Sequence, residues 1–409
     1  MKRIVLINIS GTDKPGLTTA ISGILARYDV TILDIGQAVI HDTLSLGLLV
    51  DLGGDVANTP VLEEILAKSR ELDVQVQFSP VEDDDYSLWV NGQGKPRHIV
   101  TLLARKISAS HIAKTSQVVA KYGLNIDKID RLSGRIAIGD FNSKDKACIQ
   151  LSLRGSLLDA AAVRQDFLTL GAELDIDIAY QEDNIYRRNR RLVCFDMDST
   201  LIEAEVIDEL AYAAGVGDQV AEITERAMQG KLDFTESFAA RLALLKGLDE
   251  KVLEGIADNL KLTEGAERLI ATMRALGYKT AILSGGFSYF GQYLQRKLGI
   301  DYVFANELDI EDGKVTGQVS GIVVDGKRKA ELLKKLAEQE NLSLEQVIAV
   351  GDGANDLPML ATAGLGVAFR AKQIVRESAR HSISTLGLDA VLYLLGLSDR
   401  EIKHLDQQS

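Results

Sequence analysis

The sequence predicts an α/β chain: two copies of a small βαββαβ unit, then a parallel sheet that is interrupted by a helical insert. Three observations carry this. Beyond Leu192 the apolar residues gather in short, nearly continuous runs, as strands covered on both faces require. An order of elements read in the first 80 residues returns about 95 residues later. A helically patterned stretch, about 207–262, lies between the first two of the later runs and reads as an inserted cap.

In the first copy, Ile4 to Ile9 is a strand-like run, followed by the turn Asp13-Lys14-Pro15-Gly16 and a helix with Leu17, Ala20, Ile21, Ile24 and Leu25 on one face. Val30 to Ile35 and Ala38 to Val50 read as strands, Val61 to Ser69 as a helix and Val74 to Phe78 as a last strand. The second copy places strands at Ile99–Ala104, Leu124–Ile129, Cys148–Leu153 and Ile176–Ala179, with helices at Ile112–Val119 and Leu157–Leu170. Ser79 to Arg97 reads as a connection, and Gln181 to Arg191, with its four arginines, as a solvated linker. The later strands are Leu192–Phe195, Thr280–Leu283, Val347–Val350 and Leu365–Ala368, and Asp312-Gly313 marks a β-hairpin. The expected domains are 1–80, 95–180 and 190–398.

Of the 409 residues, 46 are Lys or Arg and 59 are Asp or Glu, a net charge of -13 at pH 7. A surface that acidic disfavours nucleic acid and anionic membrane as partners. No run is long enough for a membrane span, and two distant cysteines, Cys148 and Cys194, fit buried thiols of a cytoplasmic protein.

In an open parallel sheet, ligands sit beyond the carboxyl ends of the strands. Three strands end there in reactive groups: Asp196-Met197-Asp198-Ser199-Thr200, Ser284-Gly285-Gly286-Phe287 and Gly351-Asp352-Gly353-Ala354-Asn355-Asp356. A lone Asp after a strand is commonly a cap or turn former, but three such endings converge here. Clustered carboxylates with no His or Cys beside them suit a hard cation, Mg²⁺ by default, and so phosphoryl transfer. The chain has no G-x-x-x-x-G-K-[ST] loop with which to cradle a nucleotide.

These motifs, with Lys329, resemble the haloacid dehalogenase superfamily, and within it the phosphatases that act on phosphoserine; the likeness spans about 190–395. The resemblance implies a Rossmann-like sheet with a helical cap. It makes Asp196 the nucleophile, forming an aspartyl-phosphate, and Asp198 the acid and then the base. It gives Mg²⁺ to Asp196, Asp352 and the backbone carbonyl of Asp198, with Asp356 steadying the acidic loop. Ser284, Gly285 and Lys329 would hold phosphate, with Gly286 in the same turn, and Asn355 would add a polar contact. Glu205 would meet the substrate ammonium and Arg241 its carboxylate, while Met228 and Phe234 wall the pocket.

The first 180 residues resemble tandem ACT domains, ferredoxin-like βαββαβ modules that bind small ligands. Asp13, Pro15, Gly16 and Leu17 belong to the turn typical of them. The second copy carries Ser108-Ala109-Ser110-His111-Ile112 in that place, which weakens the expectation of amino-acid binding there. The modules are expected to bind serine or to build a homodimer. A rival reading keeps the same core but moves the phosphoryl group to another alcohol or hydrolyses another small phosphomonoester; Glu205 with Arg241, which together read an amino acid, argue against it. A chain that is chiefly an amino-acid sensor is the reading from another class.

Overall fold

The computed structural model describes residues 4–53, 60–140, 142, 144–228, 231–232 and 234–406, with the side chains of Met228, Phe234 and Asp406 outside that description. The chain divides into two compact units, 1–95 and 96–409.

The first unit contains β1 (Ile4–Thr12), α1 (Leu17–Arg27), β2 (Thr31–Ile40), β3 (Thr43–Asp51), α2 (Pro60–Leu72), β4 (Val74–Val81) and α3 (Asp83–Asn91). Its antiparallel sheet runs β2-β3-β1-β4. Ile7, Ile9, Leu46, Leu48 and Val50 pack against Ile21, Leu25, Val61 and Ile65 of the two helices. Two expectations need correction. The strand break expected near Gly36 is absent: Gly36 pairs with Gly47 inside the ladder, and the chain turns later, at His41-Asp42, where His41 is left-handed (φ 59°). The connection after residue 79 forms a helix, because Asp83, Asp84 and Asp85 in its first turn complement the positive end of the helix dipole.

The second unit opens with the repeat: β5 (Arg97–Ala104), α4 (Ala109–Lys121), β6 (Asn125–Arg131), β7 (Ala147–Arg154), α5 (Ala160–Leu174) and β8 (Asp177–Glu182), in sheet order β6-β7-β5-β8. Ser108 caps α4, its Oγ accepting from the His111 N–H. Counting back from the first helical residue, Arg105 to Ser108 therefore take the place of Asp13 to Gly16. The correspondence expected from the sequence is three residues out of step.

The expected solvated linker is also corrected. Residues 185–188 form a 3₁₀ turn capped by Asn184, and Arg187 and Arg190 are buried. Arg187 donates to Gln150 Oε1 (2.5 Å) and so fastens this segment onto the repeat, while Arg190 donates to the Arg187 carbonyl (2.9 Å) within the segment.

The larger part of this unit comprises β9 (Leu192–Phe195), α6 (Val206–Ala213), α7 (Gly217–Met228), α8 (Phe234–Ala243), α9 (Lys251–Asn259), α10 (Ala266–Ala275), β10 (Lys279–Phe287), α11 (Ser288–Leu298), β11 (Tyr302–Glu311), β12 (Lys314–Ser320), α12 (Gly326–Gln339), β13 (Val347–Gly351), α13 (Leu357–Thr362), β14 (Leu365–Phe369), α14 (Gln373–Ser378), β15 (His381–Ile383), α15 (Val391–Leu394) and α16 (Asp399–Asp406). Its sheet runs β12-β11-β10-β9-β13-β14-β15, parallel except for β12. Every residue of β9 is buried, as a strand covered on both faces must be.

Chain order moves outward from β9 to β10 and β11, then returns to β13 on its other side. The crevice at the carboxyl end of β9 is therefore the switch point where such sheets bind ligands. Helices α6 to α9 form the cap. Their two connections to the sheet run side by side, joined by the Ile202–Leu262 bridge and by the Glu203 N–H on the Lys261 carbonyl (2.9 Å). Leu103, Cys148 and Ala179 of the repeat share one apolar core with Phe195, Leu392 and Ile402. The second βαββαβ copy is thus built onto the parallel-sheet domain.

Candidate active site

Asp196 follows directly on β9. Its N–H continues the ladder onto the Val350 carbonyl (2.9 Å), which fixes where the side chain leaves the sheet. The carboxylate accepts from the Met197 N–H (2.7 Å) and meets Lys329 Nζ at 2.8 Å.

Lys329 sits in the first turn of α12, which Asp325 caps by accepting from the Arg328 N–H (2.7 Å). Its ammonium also lies 2.7 Å from Asp356 Oδ1, and neither side chain of this pair is exposed. Lys327, two residues earlier, is not buried, so Lys329 is the lysine that enters the cluster. Asp356 folds back beneath β13 and accepts from the Gly353 N–H (2.9 Å). Gly351 is required there, because a Cβ on it would stand 2.4 Å from the Asp356 carboxyl carbon. Asp352 accepts from the Thr200 hydroxyl (3.1 Å).

Carboxylate oxygens of Asp196, Asp352 and Asp356 lie within 4.8 Å of one another. Burial, then Asp196 and Asp356, push Asp352 up to about 8. Burial and Asp196 also raise Asp356, against the pull of Lys329. Burial favours a neutral Lys329, but Asp196 and Asp356 outweigh it and hold the lysine charged. One lysine for three carboxylates leaves negative charge that a water-poor pocket tolerates only with bound protons or a further cation. An all-oxygen donor set of this kind fits a hard divalent ion such as Mg²⁺.

Asp198 stands beside this cluster, accepting from the Val206 N–H (3.0 Å) at the start of the cap. Burial raises it well above the usual carboxylate range, and Glu205 and Asp196 add to the shift. A Cβ on Gly286 would come within 2.4 Å of Asp198 Oδ2, so glycine lets the end of β10 close over it. Ser284 is buried, its Oγ accepting from the Gly286 N–H (2.9 Å). Asn355 lies in the turn after Asp352, its Oδ1 crowding Gly353.

Glu205 is exposed at the foot of the cap and accepts from the Ser199 hydroxyl (2.8 Å). Arg241 is half-buried on α8, its Nε donating to the Ser237 carbonyl (3.3 Å). Burial lowers its pKa, while Asp208, Glu205 and Asp198 are near enough to oppose the shift. Among the described residues Glu205 and Arg241 form no ion pair with each other. The wall expected from Met228 and Phe234 lies outside the described residues.

Sequence reasoning missed four residues here. Thr200 holds Asp352, Asp325 caps the helix of Lys329, and Asp208 faces Arg241. Asn306, buried on β11, donates to the Gly285 carbonyl (2.7 Å) and accepts from the Val324 N–H (2.8 Å), tying the Ser284–Gly286 turn to the loop before α12. Asp325-Gly326 ahead of a Lys-rich helix is a readable capping signal; Asn306 inside a strand offers none.

Comparison with known proteins agrees with this geometry. Residues 190–364 match the haloacid dehalogenase-like hydrolase family, and residues 3–79 match the ACT domain. The chain is 39% identical over 407 residues to a phosphoserine phosphatase of Streptomyces coelicolor, covering 98% of this chain and 94% of the relative. It is 40% identical to phosphoserine phosphatase SerB2 of Mycobacterium tuberculosis, covering 98% and 95%. A crystal structure of a probable phosphoserine phosphatase from Vibrio cholerae superposes with a TM-score of 0.58 at 34% identity, covering 76% of this chain and 89% of that one. With its capped parallel sheet, its acidic cluster and relatives matched along nearly their whole length, the chain belongs to the phosphoserine phosphatases of the haloacid dehalogenase-like hydrolases, in a form that carries an ACT domain.

Proposed function

We propose that the chain hydrolyses O-phospho-L-serine to L-serine and phosphate through an aspartyl-phosphate on Asp196, with Mg²⁺ as its ion. The observation that carries this is the buried group Asp196–Lys329–Asp356, with Asp352 at one side and a proton-holding Asp198 at the other. Asp196 attacks phosphorus as the bond to the seryl oxygen breaks. Asp198, raised by burial, delivers its proton to that oxygen, which would otherwise leave as an alkoxide. The same carboxylate then takes a proton from the water that splits the aspartyl ester. Lys329 keeps Asp196 oriented and offers positive charge to the phosphoryl oxygens, which the Ser284 hydroxyl and the Gly285 N–H also bind.

Asp196, Asp352 and the carbonyl of Asp198 would hold the ion, which supplies charge neutralisation between an anionic nucleophile and an anionic phosphate. Glu205 and Arg241, left without each other, receive the ammonium and the carboxylate of the substrate. Such a reaction is the last step of serine biosynthesis in a cytoplasmic, homodimeric enzyme. Two free buried cysteines agree with a reducing compartment, and no described helix is long and apolar enough to cross a membrane.

In the first βαββαβ copy, Gly16 is left-handed (φ 91°) with open space around its α-carbon, Asp13 N–H bonds the Asp42 carbonyl, and Leu17 is buried. That exposed turn at a helix start supports a site for serine. Initial rates on a panel of phosphomonoesters, with and without Mg²⁺, test the catalytic reading. Phosphoserine should be preferred and chelation should stop turnover; wild-type kcat/KM on phosphoserine in Arg241→Ala would overturn the substrate.

A further inference from the structure

The second βαββαβ copy lacks the open turn of the first. In place of Asp13 it presents Arg105, whose guanidinium grips Glu264 with both Nη atoms (3.0 and 2.8 Å). Arg370 of the catalytic half donates to the same carboxylate at 3.0 Å. A bidentate fork fixes direction as well as distance.

Glu264 is the foot of the cap. Its carbonyl accepts from the Leu388 N–H (2.7 Å), and the adjacent Thr263 N–H bonds the Leu201 carbonyl (3.0 Å), three residues beyond Asp198. The neighbouring Gly265 is left-handed (φ 84°) and packs so tightly that a Cβ would stand 2.3 Å from Asp389. Asp389 in turn is paired with Lys146, which also belongs to the second copy, and with Arg268 (3.1 Å). Two cations from the loops of one module thus hold the segment where the cap rejoins the sheet. Through the paired connections that segment is bonded to the loop bearing Asp198 and Glu205. The ligation is strong enough for Arg105 to hold Glu264 below the usual carboxylate range.

We propose that Arg105 is a positioning residue for the reaction: it fixes the cap's foot, and with it the angle at which Glu205 and Arg241 face the substrate. The ligand turn of the second module has become a strut. This rests on the phosphoserine reading, because it concerns the two groups that recognise an amino acid.

The test is steady-state kinetics of the full chain on phosphoserine and on p-nitrophenyl phosphate, which has no ammonium or carboxylate to meet the cap. Arg105→Ala should raise KM for phosphoserine about five- to twenty-fold, with kcat and the KM for p-nitrophenyl phosphate changed less than about twofold. Arg105→Lys should recover part of the loss. Glu264→Gln, which keeps the volume should the alanine variant not fold, should reproduce it, and the double variant should be no worse than either single. An unchanged KM for phosphoserine overturns the strut, as does an equal loss on both substrates, which a merely structural ion pair would give. A wild type inert toward phosphoserine would overturn the substrate reading and the strut together, whereas an active wild type with indifferent variants overturns the strut alone.

Discussion

Two charged clusters lie within the second unit, and they are built to opposite rules. At the end of β9, three carboxylates cluster around a single lysine, Lys329, which pairs with Asp196 and Asp356. At the foot of the cap, Glu264, Asp389 and Asp399 are met by Arg105, Lys146, Arg268 and Arg370. The first cluster pushes Asp352 up to about 8; in the second, Glu264 is held below its ordinary value. A surplus of acid leaves a place for a divalent ion and an electrophile. A surplus of base leaves a joint that holds its shape. Charge balance, more than charge density, separates the reactive group from the mechanical one.

The comparison breaks if the two clusters respond alike to loss of a charge. Asp196→Asn should give the largest effect, a loss of about 10⁴-fold or more in kcat, with circular dichroism unchanged. Asp198→Asn should cost about 10²–10⁴-fold. On p-nitrophenyl phosphate, whose leaving group needs little acid help, it should show a burst as phospho-enzyme accumulates. Lys329→Met strands Asp196 and Asp356 in a buried site, and urea unfolding should show about 3–5 kcal/mol of lost stability.

Arg370→Gln, at the half-exposed joint, should cost less than about 1 kcal/mol in the same assay, because Glu264 keeps its fork from Arg105.

The last effect is a pH dependence. His381 is buried between the Gly366 and Tyr180 carbonyls, and burial lowers it to about 4 despite their pull. The unfolded chain then binds a proton that the folded chain refuses. Stability is full above about pH 6.5 and falls by at most about 3 kcal/mol as pH drops toward 4. His381→Gln should flatten that slope in thermal melts taken between pH 7 and 4.5.

How much could be read from the sequence depends on how far apart the partners stand. Asp196 and Asp198, or Asp352 and Asp356, are close along the chain, and the apolar runs before them say which strand end delivers them. The cap, the hairpin at Asp312-Gly313 and both βαββαβ orders were legible for the same local reasons. Arg105 and Glu264 are 159 positions apart, and nothing near either one announces the other. Asn306 ties together two loops that the sequence shows only as separate pieces. The run from Arg187 to Arg191 misled because charge ordinarily marks solvent, whereas here Arg187 is buried and donates to Gln150 of the repeat. The break expected between Ile35 and Ala38 does not form because Gly36 and Gln37 continue the ladder, pairing with Gly47 and Leu46.

The cap leaves the sheet after Leu201 and returns at Leu262 along adjacent, hydrogen-bonded paths. An insertion whose two ends meet is a cassette: its interior can lengthen, shorten or be exchanged without displacing any strand. On the proposed roles of Glu205 and Arg241, phosphate chemistry and choice of substrate can then diverge at different rates, the first anchored in the sheet and the second carried on a replaceable part.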